Sequence, residues 1–379
     1  MKDRVHLFRT RPDGDLTAPS RDRPAATRRS LVWSLPLLLL LLAACGGAEQ
    51  FPQTWAEPRS DFARSIDGVW MLSVWLGLGV GVVTFAVLGY ILFRFRYRPG
   101  QPEPEHVHGN TRLELAWTFV PALILAVLAV PTVQVIFETQ APAPEDALTV
   151  EVIGYQWWWE FRYPMGNDTV VTANEVHVPV GRTVELVMNS ADVIHSFWIP
   201  QMGGKRDVIP RGPDRSRWNR LVFTPEEPGV YLGQCAEFCG ESHALMKMRL
   251  VAHAPDDFAA WLRNEAAPAV PVAAADTALM AGEQIFRTAG CAGCHAIRGV
   301  DENGDATMVP AGMVQQGPDL THLGRRQTIG AGILANNATN LTNWIRDPDA
   351  IKPGVLMPAH PQLTNEQLRF LVAYMQSLD

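Results

Sequence analysis

The sequence predicts a multidomain membrane protein in which a hairpin of two transmembrane helices leads into a β-rich domain and then a smaller C-terminal domain. Three observations predict it. Residues 70–93 and 115–137 are uncharged over 24 and 23 positions. From residue 148 the pattern changes to short alternating segments punctuated by Pro and Gly, as in a β-sandwich or barrel. Residues 266–275 are almost entirely Ala, Pro and Val, a composition that makes a semi-rigid spacer.

The chain has 379 residues and a formal net charge of -7, which argues against a nucleic-acid partner. Residues 1–30 are basic and arginine-rich, and residues 31–42 form an apolar run. That run is too short to span about 30 Å of hydrocarbon. With Arg28 and Arg29 before it, it fits the apolar region of a signal peptide. Ala43 and Ala44 then precede Cys45, and Gly46 and Gly47 follow. Small residues before a cysteine resemble the bacterial lipoprotein cleavage box. Residues 1–44 are therefore read as a lipoprotein-type signal peptide, Cys45 as the lipidated first residue, and residues 45–66 as a segment outside the membrane. The alternative is an ordinary signal peptide with an incidental cysteine.

At about 1.5 Å per residue each uncharged run reaches roughly 35 Å, enough to span. The pair is assigned to residues 67–138. Arg94, Arg96, Arg98 and Arg112 lie between the runs, and the positive-inside rule puts that loop in the cytoplasm. Both flanks are then outside. Glu114 opens the second helix, where an acid favours the macrodipole.

Residues 148–253 form the β-rich domain. Near its end, Cys235, Cys239, His243 and Met246 fall within twelve residues, and His195 lies upstream. Thiolate, imidazole and thioether form the soft donor set that favours copper. A single blue-copper site needs one cysteine, and here there are two. Two bridging thiolates can hold two copper ions that share one electron, each ion with one histidine and one weak axial ligand. The rivals are a Cys235–Cys239 disulfide and a zinc site. Met246 and the β-rich context argue against zinc.

In the C-terminal domain Cys291, Cys294 and His295 form the Cys-x-x-Cys-His pattern of covalent c-type heme attachment. Methionine as the sixth ligand raises the potential and blocks oxygen binding. The candidates are Met308, Met313, Met357 and Met375, with His322 and His360 as rivals. Met357 precedes Pro358 in a loop far enough along to wrap around the heme, and it is the one chosen. Met375 falls on an amphipathic helix over residues 364–378 and reads as core; Met308 and Met313 read as loop residues. Each of the five cysteines now has its own explanation. His6, His106, His108, His177 and His253 have no assigned role and read mostly as solvated.

Residues from about 67 to 252 resemble cytochrome c oxidase subunit II with its CuA domain. The paired helices, the run Tyr155, Gln156, Trp157, Trp158, Trp159, the segment from Asp192 through His195 to Phe197, the triplet Lys205, Arg206, Asp207 and the copper loop carry the resemblance. Residues 277–379 resemble a class I cytochrome c, through Gly317, Pro318, Asp319, Leu320, then Asn343, Trp344, Ile345, and the C-terminal helix. The resemblance implies a cupredoxin-like Greek-key β-barrel, a linker over 254–276 and an all-α cytochrome c domain. It implies a binuclear copper CuA held by His195, Cys235, Cys239, His243, Met246 and the backbone carbonyl of Glu237. It further implies that the Glu237 carboxylate helps bind Mg or Mn at the interface with subunit I, that Glu114 marks the mouth of a proton channel, and that electrons reach copper through Trp157. The family's usual second aromatic is tyrosine; here it is Trp158. Trp158 and Trp159 read as packing residues.

The implied function is that of the electron-input subunit of a terminal oxidase. Electrons from a soluble or membrane cytochrome, or another one-electron donor, would pass through the chain's own heme c to CuA. Subunit I, accompanied by subunit III, would then reduce oxygen and pump protons; the oxygen site is not in this chain. The location implied is the bacterial cytoplasmic membrane, with both C-terminal domains on the periplasmic face. Two alternatives stay open: the electron-input subunit of a CuA-containing nitric oxide reductase, and a non-enzymatic copper-binding lipoprotein. The short tether also leads us to expect that the surroundings of Trp157 receive the chain's own cytochrome domain.

Overall fold

The computed structural model describes residues 51–379 apart from 104, 107, 167, 301–305 and 310–316. The signal-peptide assignment, Cys45 and Met313 lie outside the described residues. Helices α1 (Asp61–Arg94) and α2 (Thr111–Thr139) contain the two uncharged runs. Their apolar side chains point outward all round, as lipid-facing residues do. Glu114 sits in the first turn of α2, close in sequence to the arginine loop. By the helical rise it lies about 37 Å from the Thr139 end.

The root of α1 is built into the β domain. Ser60 caps the helix by accepting from the Ala63 amide and donates its hydroxyl proton to the Met202 carbonyl at 2.7 Å. Phe62 is buried against Gly203, where a Cβ would come within 2.6 Å of the ring. Arg59 pairs with Glu227 at 2.6 Å. The membrane hairpin and the β domain are thus held together at the end opposite the arginine loop.

The β domain is a sandwich of two five-stranded sheets. Its strands are β1 (Leu148–Tyr155), β2 (Trp158–Met165), β3 (Asp168–Ala173), β4 (Glu175–Pro179), β5 (Val184–Ser190), β6 (His195–Trp198), β7 (Arg206–Val208), β8 (Asn219–Phe223), β9 (Gly229–Cys235) and β10 (Lys247–His253). The sheet orders are β3-β2-β1-β5-β8 and β4-β10-β9-β6-β7. β1 pairs parallel with β5 and β4 with β10; the remaining pairs are antiparallel. The period-2 alternation of β2 sends Trp159, Phe161 and Tyr163 into the shared core with Leu186, Met188, Phe197 and Leu250. Trp158 goes to the other face and stacks on Tyr155, ring centroids 4.4 Å apart.

Two expectations need correction here. The segment 254–276 is not a spacer throughout. Residues Pro255–Ala266 form α3, with Phe258 buried and Trp261, Leu262 and Ala266 packed on the sandwich core. Their spacing, i, i+3, i+4 and i+8, is that of one helix face. Beyond α3, Ala269 is buried in the core of the C-terminal domain, with Val272 packed against it.

His177 and His253 are half-buried and paired rather than free in solvent. Their rings stack, the His177 Nδ1 and His253 Nε2 atoms lie 2.8 Å apart, and Trp261 covers His177 at a centroid distance of 4.2 Å. Burial holds His177 down to about 3 and lowers His253 as well. A folded-state value below the unfolded one means that the unfolded chain binds more protons. Stability is then complete above the ordinary value near 6.5 and is lost as pH falls toward 3. At 1.36 kcal/mol per unit, His177 accounts for a loss of about 2 kcal/mol by pH ~5. Urea midpoints of the wild type should fall between pH ~7 and pH ~5, and His177→Phe should flatten that slope; an unchanged slope would contradict this account.

The C-terminal domain comprises α4 (Thr277–Thr288), the hairpin of β11 (Ile297–Val300) with β12 (Ala306–Val309), the hairpin of β13 (Thr328–Ile329) with β14 (Leu334–Ala335), α5 (Ala338–Arg346), α6 (Pro348–Ile351) and α7 (Asn365–Gln376). Two short hairpins thus accompany its helices, and Met308 lies in β12 instead of a loop. α4 and α7 cross at Gly282, where a Cβ would fall 2.2 Å from the Phe370 carbonyl oxygen, so only glycine allows this approach. Phe286, Leu341, Ile345, Leu368, Leu371 and Met375 fill the core. Met375 is buried there, as its helical spacing predicts.

Candidate metal and heme centres

The soft donors converge at one end of the sandwich. β9 delivers Cys235, β6 delivers His195, and the loop before β10 carries Cys239, His243 and Met246. Cys235 Sγ and Cys239 Sγ are 3.7 Å apart. Cys235 Sγ lies 3.9 Å from His195 Nδ1 and 3.2 Å from the Glu237 carbonyl oxygen. Cys239 Sγ lies 3.5 Å from His243 Nδ1 and 3.8 Å from Met246 Sδ. The two cysteines are not joined, since a disulfide needs a separation of about 2.05 Å. Metal–thiolate bonds are about 2.3 Å, so sulfurs 3.7 Å apart can both reach one ion. The donor set fits a copper pair: each thiol has its own imidazole, and a carbonyl and a thioether stand on opposite thiols.

Asp192 orients His195. Its carboxylate lies 2.8 Å from His195 Nε2, which leaves Nδ1 facing the sulfurs. Burial alone would lower His195, but its hydrogen bonds with Asp192 and Cys235 outweigh that and leave it raised. Hydrogen bonding between the two thiols lowers Cys235 and, with burial, raises Cys239. The sequence alone assigns Asp192 no role. The signal was there, a carboxylate three residues before a ligating histidine. The Glu237 side chain is exposed at the tip of the loop, and Phe238 beside it is 77% exposed.

In the C-terminal domain Cys291, Cys294, His295 and Met357 line one apolar cavity with Phe286, Leu341, Trp344, Leu371 and Met375. His295 Nδ1 lies 2.8 Å from the Pro318 carbonyl, which fixes the tautomer and leaves Nε2 for a metal. Burial lowers His295 and keeps it neutral, as a ligand must be. Gly317 packs flat on the imidazole, with room for a Cβ only 2.6 Å from the ring. These residues fit a covalently attached heme. His322 does not line the cavity and lies 3.0 Å from the Ala267 carbonyl through Nε2. His360 lines it, with Nδ1 3.2 Å from Gln362 Nε2.

The same cavity is closed from outside its own domain by Gln156, Trp157, Trp158 and Asn174 of the sandwich. The two domains meet over a polar interface. The Glu175 carboxylate, 2% exposed, accepts from the Thr328 amide, the Thr328 hydroxyl and the Gln327 amide. Ser242 donates to the Pro353 carbonyl, Lys247 donates its amide to Ala331, and Arg249 bonds Gln327. Trp158 and Ala331 share a small apolar cluster. Trp157 is 8% exposed, and its indole Nε1 donates to the Cys239 carbonyl at 3.0 Å. The structure leaves Glu114 apart from both sites, at the far end of α2.

Three family models match this chain. Residues 60–135 match the family model of the cytochrome c oxidase subunit II transmembrane domain, residues 166–253 that of its periplasmic domain, and residues 279–379 that of cytochrome c. Cytochrome c oxidase subunit 2 of Alkalihalophilus pseudofirmus is 39% identical over 350 residues, covering 91% of this chain and 95% of that protein. The subunit of Bacillus sp. strain PS3 is 36% identical, covering 90% and 95%. Among solved structures, the periplasmic domain of subunit II from Bradyrhizobium japonicum is 31% identical with a TM-score of 0.30, covering 33% of this chain and 96% of that one. The periplasmic-domain match brings with it a CuA copper centre, and the cytochrome c match a heme. The chain belongs to the cytochrome c oxidase subunit II family, whose members partner subunit I of a heme–copper oxidase, and it carries a cytochrome c domain at its C-terminus.

Proposed function

We propose that this chain is the electron-input subunit of an oxygen-reducing, proton-pumping terminal oxidase, and that electrons reach the copper domain through the chain's own cytochrome domain. The observation that carries the reading is Trp157. One side of this residue closes the cavity around Cys291, Cys294, His295 and Met357, and its indole N–H bonds the backbone of Cys239. When bound, the copper pair and the heme each supply a reversible one-electron change.

His195, Cys235, Cys239, His243, Met246 and the Glu237 carbonyl hold the copper pair, and Asp192 aims His195. Cys291 and Cys294 would anchor the heme through thioethers, and His295 and Met357, which line the same cavity, would bind its iron. The Glu237 carboxylate, exposed on its loop, would share Mg or Mn with subunit I, and Glu114 would mark the cytoplasmic mouth of a proton channel. Subunit III completes the complex, and the donor is a soluble or membrane-bound one-electron carrier. The membrane is the bacterial cytoplasmic membrane, with the sandwich and cytochrome domains on its outer, periplasmic face and Cys45 as a lipid anchor. Trp157 is covered by the cytochrome domain, so an external donor meets that domain first.

Rapid mixing of the oxidised full chain with a reduced donor tests the reading. The heme band should change at a rate proportional to donor concentration, and the copper band should follow at a rate independent of it. Copper reduction that stays linear in donor concentration and does not follow the heme would refute it.

A further inference from the structure

Lys352 is the most deeply buried lysine at the interface between the two domains, 2% exposed, in the loop between α6 and Met357. Its Nζ donates to the Trp157 carbonyl at 2.6 Å and to the Gly330 carbonyl at 3.1 Å. Both partners are carbonyls, one from each domain. Burial brings Lys352 down from its ordinary value to about 7, and its amino group has N–H donors enough for both acceptors. Gly330 opens the turn whose Ala331 carbonyl accepts from the Lys247 amide and whose Gly332 packs on Lys247. Two residues after Lys352, Gly354 lies against the Trp157 ring, where a Cβ would come within 3.0 Å.

We propose that Lys352 is a positioning residue for electron transfer: it pins the Trp157 backbone to the cytochrome domain, and so fixes the indole between the heme cavity and Cys239. The inference rests on the reading that electrons cross from the cytochrome domain to the copper domain. In each crossing one electron leaves the reduced heme iron, which is oxidised, and reduces the copper pair; no bond forms or breaks and no proton moves. Trp157 has contacts at both ends, its carbonyl to Lys352 and its indole N–H to Cys239. Removing the first frees the ring to shift, and tunnelling falls steeply with any added gap. The domains remain joined without Lys352, because Glu175 with Thr328, Ser242 with Pro353, and Arg249 with Gln327 are independent of it.

The test is Lys352→Met in the full chain, which keeps the aliphatic length and loses the donors. Photoreduction of the heme should show copper reduction slowed at least tenfold, while heme potential, copper band and the donor-to-heme rate stay at wild-type values. Hydrogen exchange at the Thr328 amide should stay slow, showing the domains still joined. Gln327→Ala, which cuts a neighbouring interdomain bond without touching Trp157, should leave the transfer rate unchanged. A wild-type rate in Lys352→Met would overturn the inference and leave the intramolecular route standing. Slowing accompanied by fast exchange at Thr328 would also overturn it, since Lys352 would then only hold the domains together. A wild-type chain with no concentration-independent phase would remove the underlying reading and this inference with it.

Discussion

Cys239→Ser is expected to abolish the two-copper centre and to cut electron delivery to subunit I by about 10²-fold or more. The Cys239 sulfur faces three other donors at once: Cys235 Sγ at 3.7 Å, His243 Nδ1 at 3.5 Å and Met246 Sδ at 3.8 Å. A serine hydroxyl is harder, shorter and protonated at neutral pH, and it suits neither copper nor a bridging position. Changes in the shell around a metal's ligands already cost 10–100-fold; loss of a bridging ligand costs at least the upper end of that range. Copper content should fall from two ions per chain to one or fewer, and the near-infrared band of the shared-valence pair should vanish. The heme spectrum serves as an internal control, because Cys291, Cys294 and His295 line a separate cavity in the C-terminal domain. Two coppers per chain with the band intact would remove Cys239 from the site.

Met357→Ala should leave the heme attached, because the thioethers are untouched, and open its sixth position. The reduced protein should bind carbon monoxide, lose its methionine–iron charge-transfer band, and show a potential lower on the order of 10² mV within the ~0.8 V range that axial ligands command. Met375 lines the same cavity but is packed among Leu368, Leu371 and Val372. Met375→Ala should therefore cost about 2–5 kcal/mol of stability as a core truncation and keep the band. If the band instead survives in Met357→Ala and disappears in Met375→Ala, the ligand assignment is reversed.

The chemistry of both centres was legible because it is local. Cys235, Cys239, His243 and Met246 fall on one loop and strand end, and Cys291, Cys294 and His295 on one turn, so donor type and spacing carry the meaning. The spanning helices were legible for a different reason: an uncharged stretch of that length has few places to go other than a bilayer. The Ala, Pro and Val stretch misled where it was extended backward over Phe258, Trp261 and Leu262, whose helical spacing places them on the sandwich.

What the sequence by itself determined is which side chains have the chemistry to bind metal or heme and that two segments are long and apolar enough to cross a membrane. Only the tertiary structure decided how the two domains meet. The Lys352–Trp157 bond joins residues 195 positions apart, and no periodicity or motif records such a separation. A lysine beside a proline reads as solvated until a second domain covers it, and His177 and His253 read the same way until Trp261 covers them. Burial is a property of the neighbours a side chain acquires, and for these residues the neighbours come from distant segments of the chain.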